Sequence, residues 1–177
     1  MRISVEGKSG GVRVRMRFEQ FRHRLLIVRI MLTVLAVQGA IVGLWAVFAP
    51  HSWYTSFPGF GMHWISQDGP YNHHLAGDVG AFFLALTAIT IAALVIDGTA
   101  VARVAGIGWL TFGLPHFVYH AFHKPAEMGA ASFTLSLLGA AALIVLGLGC
   151  LVVPPRGDIP MSDPAPMDFR LPRRRTR

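Results

Sequence analysis

Four apolar runs, separated by short polar breaks, account for most of the chain: residues 25–49, 75–96, 101–122 and 131–153. A helix rises about 1.5 Å per residue, so each run covers a hydrocarbon core of about 30 Å with some tilt. Apolar residues fill these runs almost continuously instead of recurring on one helical stripe. That is the pattern of membrane spans rather than of soluble amphipathic helices. It predicts an all-α protein whose residues 25–153 form a four-transmembrane-helix bundle.

The breaks differ in character. Asp97-Gly98 is a two-residue turn, and Lys124-Pro125 ends the third run. Residues 50–71 are the longest connection, rich in Gly, Pro and aromatics. Trp53, Tyr54, Phe57, Phe60, Trp64 and Tyr71 suit the headgroup level, which favours an interfacial belt over a lid. Pro115 removes a backbone hydrogen bond and predicts a kink just before His116. Gly39 with Gly43, and Ser132 with Ser136 and Ala140, offer small-residue faces for close helix approach, within one chain or in a homo-oligomer.

Arg29 sits in the first turns of the first run, where its side chain can snorkel to the headgroups. That run is too long for the apolar core of a signal peptide, and Pro50 follows it directly, so it reads as a retained anchor. Residues 1–24 form a basic segment. Val12 to Phe18 alternates with period two, but without a visible partner strand it reads as a juxtamembrane stretch against anionic lipid headgroups. Met16 is an alternative start. Residues 154–177, with six prolines before Arg173-Arg174-Arg175, read as a disordered basic tail.

Composition sharpens this picture. In 177 residues, 53% are hydrophobic and 14% charged, with a mean hydropathy of +0.51, which excludes an ordinary soluble domain. A net charge of +7 would suggest nucleic acid. Here the basic residues flank spans instead of forming a face, so no nucleic-acid partner is expected. Fifteen of the sixteen Lys and Arg residues, Arg29 and Arg103 among them, fall on the side of the termini, and Lys124 alone on the other. The positive-inside rule then puts both termini in the cytoplasm and the long aromatic loop outside, in a multi-pass protein of the plasma (inner) membrane. A membrane-protein partner recruited by the tails is compatible with this layout. The single Cys150 excludes an intrachain disulfide and reads as a small apolar residue.

The chemistry is concentrated in histidines. Positions 116, 120 and 123 lie within about 60° on a helix, so three imidazoles share one stripe of the third span. His74 and Asp78 share a face of the second. The alternating direction of the spans brings both sets, and seven of the eight histidines, to the outer side. A carboxylate one or two turns inside an apolar run needs a partner, so Asp78 is expected to touch the third span. Imidazole and carboxylate ligands suit Zn²⁺, Fe or Cu. His74, Asp78, His116 and His120 would supply four ligands, with His123 or His73 as substitutes or outer-shell partners. Two readings stand beside this one. In the first, the cluster is only polar glue between helices; in the second, b-type haem is held between His74 and His116 or His120. Phe117 occupies the position where a zinc peptidase helix has its Glu, and no phosphate loop or nucleophile elbow occurs.

Five short stretches, Trp45 to Pro50, Phe57 to Trp64, Gly69 to Leu75, Asp78 to Ala81 and Pro115 to His120, together resemble a group of small actinobacterial four-helix membrane proteins. The resemblance covers about residues 32–153 and excludes both tails. It implies the same four-span topology and no particular activity. His73 stands where that group leads one to expect an acidic residue, which leaves His74 and Asp78 as the better ligand pair. A more distant likeness to DoxX-like four-helix proteins rests on architecture, which does not license function.

Overall fold

The computed structural model describes the backbone of residues 2–8, 11–17, 21–162 and 167–172, and the side chains of 21–162. Four long helices carry the fold: α1 (Arg22–Phe48), α3 (His73–Ile96), α4 (Thr99–Phe122) and α5 (Ala130–Val152). Each is long and apolar enough to cross a membrane, and their bounds match the four apolar runs to within three residues. The chain is therefore a multi-pass, helical membrane protein.

The long connection is more ordered than its composition suggested. Pro50 occupies the first turn of a short helix, α2 (Pro50–Ser56), where its missing N–H costs nothing. A two-residue hairpin follows, β3 (Pro58–Gly59) paired with β4 (Met62–His63). Asn72 then caps α3 by accepting from the Leu75 backbone N–H at 3.1 Å.

α1 packs along α3 and α4 along α5, and the two pairs join chiefly through α3 and α4. Backbones come close where side chains are absent. A Cβ on Gly106 of α4 would lie 2.7 Å from the Gly147 carbonyl oxygen of α5, so only glycine allows this crossing. Trp109, fully buried, is the central wedge. Its ring meets Gly39 of α1 and the Phe83 ring of α3, and its Nε1 donates to Thr90 Oγ1 at 2.8 Å.

The segment after α5 departs from the expected disordered tail. Residues 154–162 are laid across the α3–α4 turn as a strap. Asp97, in the left-handed region at φ 63°, accepts from the Ser162 amide at 2.9 Å and from Arg29 of α1 at 3.1 Å. Asp158 caps α4 in place of a local residue, accepting from the Ala100 amide at 3.0 Å. Arg103 donates to the carbonyls of Pro154, Pro155 and Gly157. The proline-rich composition hid this because the partners are backbone carbonyls and two aspartates distant in sequence. A second departure concerns the terminal segments. β1 (Arg2–Lys8), β2 (Gly11–Arg17) and β5 (Met167–Pro172) form an antiparallel sheet in the order β1-β2-β5, giving the alternating stretch two partner strands. Residues 163–166 and 173–177 of the expected tail lie outside the described residues.

Candidate functional site

α4 turns Trp109 and Gly113 into the core, which leaves Phe112, His116 and His120 on an adjacent stripe at spacings of four residues. Phe112 meets Phe83 edge to face at 5.0 Å, and stacks on the His116 ring at 5.0 Å and 22°. His116 in turn meets His120 edge to face at 4.6 Å. One turn later, the His123 ring stacks on Tyr119 at 4.5 Å, and its Nδ1 lies 3.0 Å from the Tyr119 carbonyl oxygen. The Tyr119 hydroxyl donates to Asp68 of the long connection at 3.0 Å. Among the described residues, His116 and His120 have no hydrogen-bond partner.

These side chains line a cavity of about 830 Å³ walled by all four long helices and the long connection. That volume lies in the ~300–1,000 Å³ range of small-molecule sites. Along α4 the wall runs from Phe112 to His123, which is about 16 Å at helical rise. Its polar groups collect at the loop end: His116, Tyr119, His120, His123 and Asp68. Elsewhere the wall is apolar apart from Thr33 and Gln38 of α1 and Ser136 of α5. Trp53, 6% exposed, and Met128, 3% exposed, belong to the cap at the loop end together with Phe57, Trp64 and Ile65. Among the described residues, Trp53 Nε1, Trp64 Nε1 and Gln38 Oε1, all on wall residues, are buried without a hydrogen-bond partner.

The structure separates the candidate ligands into two groups. His74 Nε2 lies 3.3 Å from Asp78 Oδ2, with the two side chains 89% and 50% exposed. Asp78 thus finds its partner on its own helix, and among the described residues nothing joins it to α4. Helical phase explains the difference. α3 turns Ala76, Gly80 and Phe83 inward, and a step of about 100° per residue carries position 78 to the outer face. His73 meets Tyr71 edge to face at 6.4 Å, outside the cavity. His116, His120 and His123 do share one wall. Among the described residues, no three His, Cys, Asp or Glu side chains are gathered closely enough to hold a metal ion. His74, with its side chain 89% exposed, is not among the residues that line the cavity.

Sequence reasoning passed over Gln38 and Asp68. Gln38 was legible as the lone amide within the first span. Asp68 was masked by the aromatic composition around it. Compared with protein-family models, with curated proteins and with solved structures, the chain matches none.

Proposed function

We propose that this multi-pass membrane protein binds an amphipathic molecule dissolved in the bilayer, holding its apolar part between the spans and its polar end beneath the long connection. The observation that carries this reading is the cavity itself. It is walled by every span, and its ionisable side chains are confined to one end. The bias of fifteen of sixteen Lys and Arg residues toward the termini supports cytoplasmic termini, which puts the polar end of the cavity at the outer leaflet. The test is mass spectrometry of organic extracts from detergent-purified protein. A discrete molecule near one per chain in the wild type, lost when Ala140→Phe fills the cavity from its buried wall, is the expected result. A wild type that retains nothing after reconstitution with total membrane lipid would refute the reading.

A second reading, a transition-metal site, is favoured by one observation: two imidazoles, ring centres 4.6 Å apart, facing the cavity with no hydrogen-bond partner among the described residues. Here His116 and His120 would be the ligands, with His123 one turn away. Zn²⁺, Fe or Cu would supply Lewis-acid or redox chemistry at that end. Elemental analysis of untagged protein decides this. Stoichiometric metal, absent from the His116→Ala/His120→Ala protein, is expected on this reading, and a metal-free wild type after loading with each ion would exclude it.

A further inference from the structure

We infer that the occupant enters the cavity sideways from the bilayer, between α1 and α5, and carries an uncharged hydroxyl- or carbonyl-type head that His116 and His120 hold by hydrogen bonds. This rests on the cavity-binding reading and adds the route and the chemistry of the head.

The route follows from where the wall is closed and where it is thin. At the loop end the cavity lies under Trp53 and Met128, both almost fully buried. Toward the strap, α1 and α5 touch, with the Met31 side chain seated on Gly149. Between these points the wall residues of α1 remain half-exposed: Val37 is 55% and Ile41 59% exposed. On α5 the wall includes the small residues Ser136, Gly139, Ala140 and Ala142, and a Cβ added at Gly139 would meet nothing within 4 Å. The gap is therefore flanked by apolar, lipid-facing side chains, and a molecule passing through it never leaves an apolar medium.

The head follows from the polar groups present. Among the described residues no Lys or Arg lines the cavity, so an anionic head would be desolvated without a fixed counter-charge from them. Asp68, the one carboxylate among the described lining residues, already accepts from Tyr119 at Oδ2. Among the described residues, the groups that remain free on the wall are the imidazole pair, the indole N–H groups of Trp53 and Trp64, and Gln38 Oε1, all of them uncharged or able to be neutral. A neutral imidazole offers one donor and one acceptor nitrogen, the complement of a hydroxyl or carbonyl head.

The test uses full-length protein in nanodiscs and two probes of equal carbon count, a long-chain primary alcohol and the matching alkane, each quantified per chain by gas chromatography after washing. The wild type is expected to retain the alcohol more strongly than the alkane. His116→Leu and His120→Gln should each weaken alcohol retention roughly two- to tenfold, the range for loss of one net hydrogen bond, and leave alkane retention unchanged. Gly139→Phe should slow uptake of both. Circular dichroism melting confirms that each variant folds. Equal retention of both probes, unmoved by either histidine variant, overturns the head assignment while leaving the cavity reading intact. Retention of neither probe by the wild type overturns the cavity reading. Unchanged uptake in Gly139→Phe overturns the lateral route.

Discussion

Replacing Thr90 with Val removes one acceptor from the centre of the bundle without changing its shape. Thr90 is fully buried, its Oγ1 accepts from Trp109 Nε1 at 2.8 Å, and it donates to the Leu86 carbonyl at 2.7 Å. In Thr90→Val the Leu86 carbonyl keeps its helical partner, but the indole N–H, also fully buried, has nowhere to turn. An orphaned donor costs about 1–3 kcal/mol. Hydrogen bonds between membrane helices average only about 0.6 kcal/mol by double-mutant cycle, with a maximum near 1.7, because the unfolded chain in lipid also finds partners. The Trp109 ring is wedged against Gly39 and Phe83 and cannot rotate to a new acceptor, which places this site at the upper end. The expected loss is about 1–2 kcal/mol for Thr90→Val. Trp109→Phe leaves the Thr90 hydroxyl bonded to Leu86, so the coupling energy in the cycle should fall between about 0.6 and 1.7 kcal/mol. Unfolding in mixed micelles of rising SDS fraction, followed by far-ultraviolet circular dichroism, reads all four proteins without relying on tryptophan emission. A Thr90→Val protein as stable as wild type, or a coupling energy of zero, would refute the reasoning.

Two glycine positions should respond in opposite directions. Gly106→Ala drives a methyl toward a backbone carbonyl at 2.7 Å and should lose about 1–3 kcal/mol, whereas Gly139→Ala enters open space and should be neutral or gain up to about 1 kcal/mol. Thermal unfolding in detergent checks both. Arg103→Ala releases the Pro154, Pro155 and Gly157 carbonyls, so tryptic cleavage after the exposed Arg156 should accelerate. A cleavage rate equal to wild type would show that the strap is held by other contacts. Asp78→Ala should change stability by less than about 0.5 kcal/mol, because its partner His74 is mostly exposed. A loss above 2 kcal/mol on the same unfolding assay would restore a role for Asp78 between helices.

The four spans were legible because the energy of burying apolar surface in lipid depends on composition over some twenty residues, not on fine geometry. The depth of the histidines followed from span direction. What could not be read was helical phase relative to a neighbour. Two residues four apart share a face, but nothing in His74 or Asp78 tells whether that face meets α4 or lipid. That choice is made by Ala76 and Gly80, whose small side chains let α1 approach and so rotate position 78 outward. The cavity was equally hidden, since it arises from helices diverging rather than from any motif. The strap escaped notice because Asp97, Thr99 and Asp158 look like ordinary turn residues until they are found bonded across some sixty positions.

The Asp97–Gly98 turn has a mechanical consequence. It is the covalent link between the α1–α3 pair and the α4–α5 pair, and the strap ties both pairs together at that same end. Farther along, Trp109 against Gly39 and Phe83, and the Tyr119 hydroxyl on Asp68, hold the same two pairs together. Each helix of 24 residues is about 36 Å long, so the strap and the Tyr119–Asp68 bond clasp the bundle near its two opposite ends. Loosening the strap therefore leaves the polar end of the cavity with a fastening of its own.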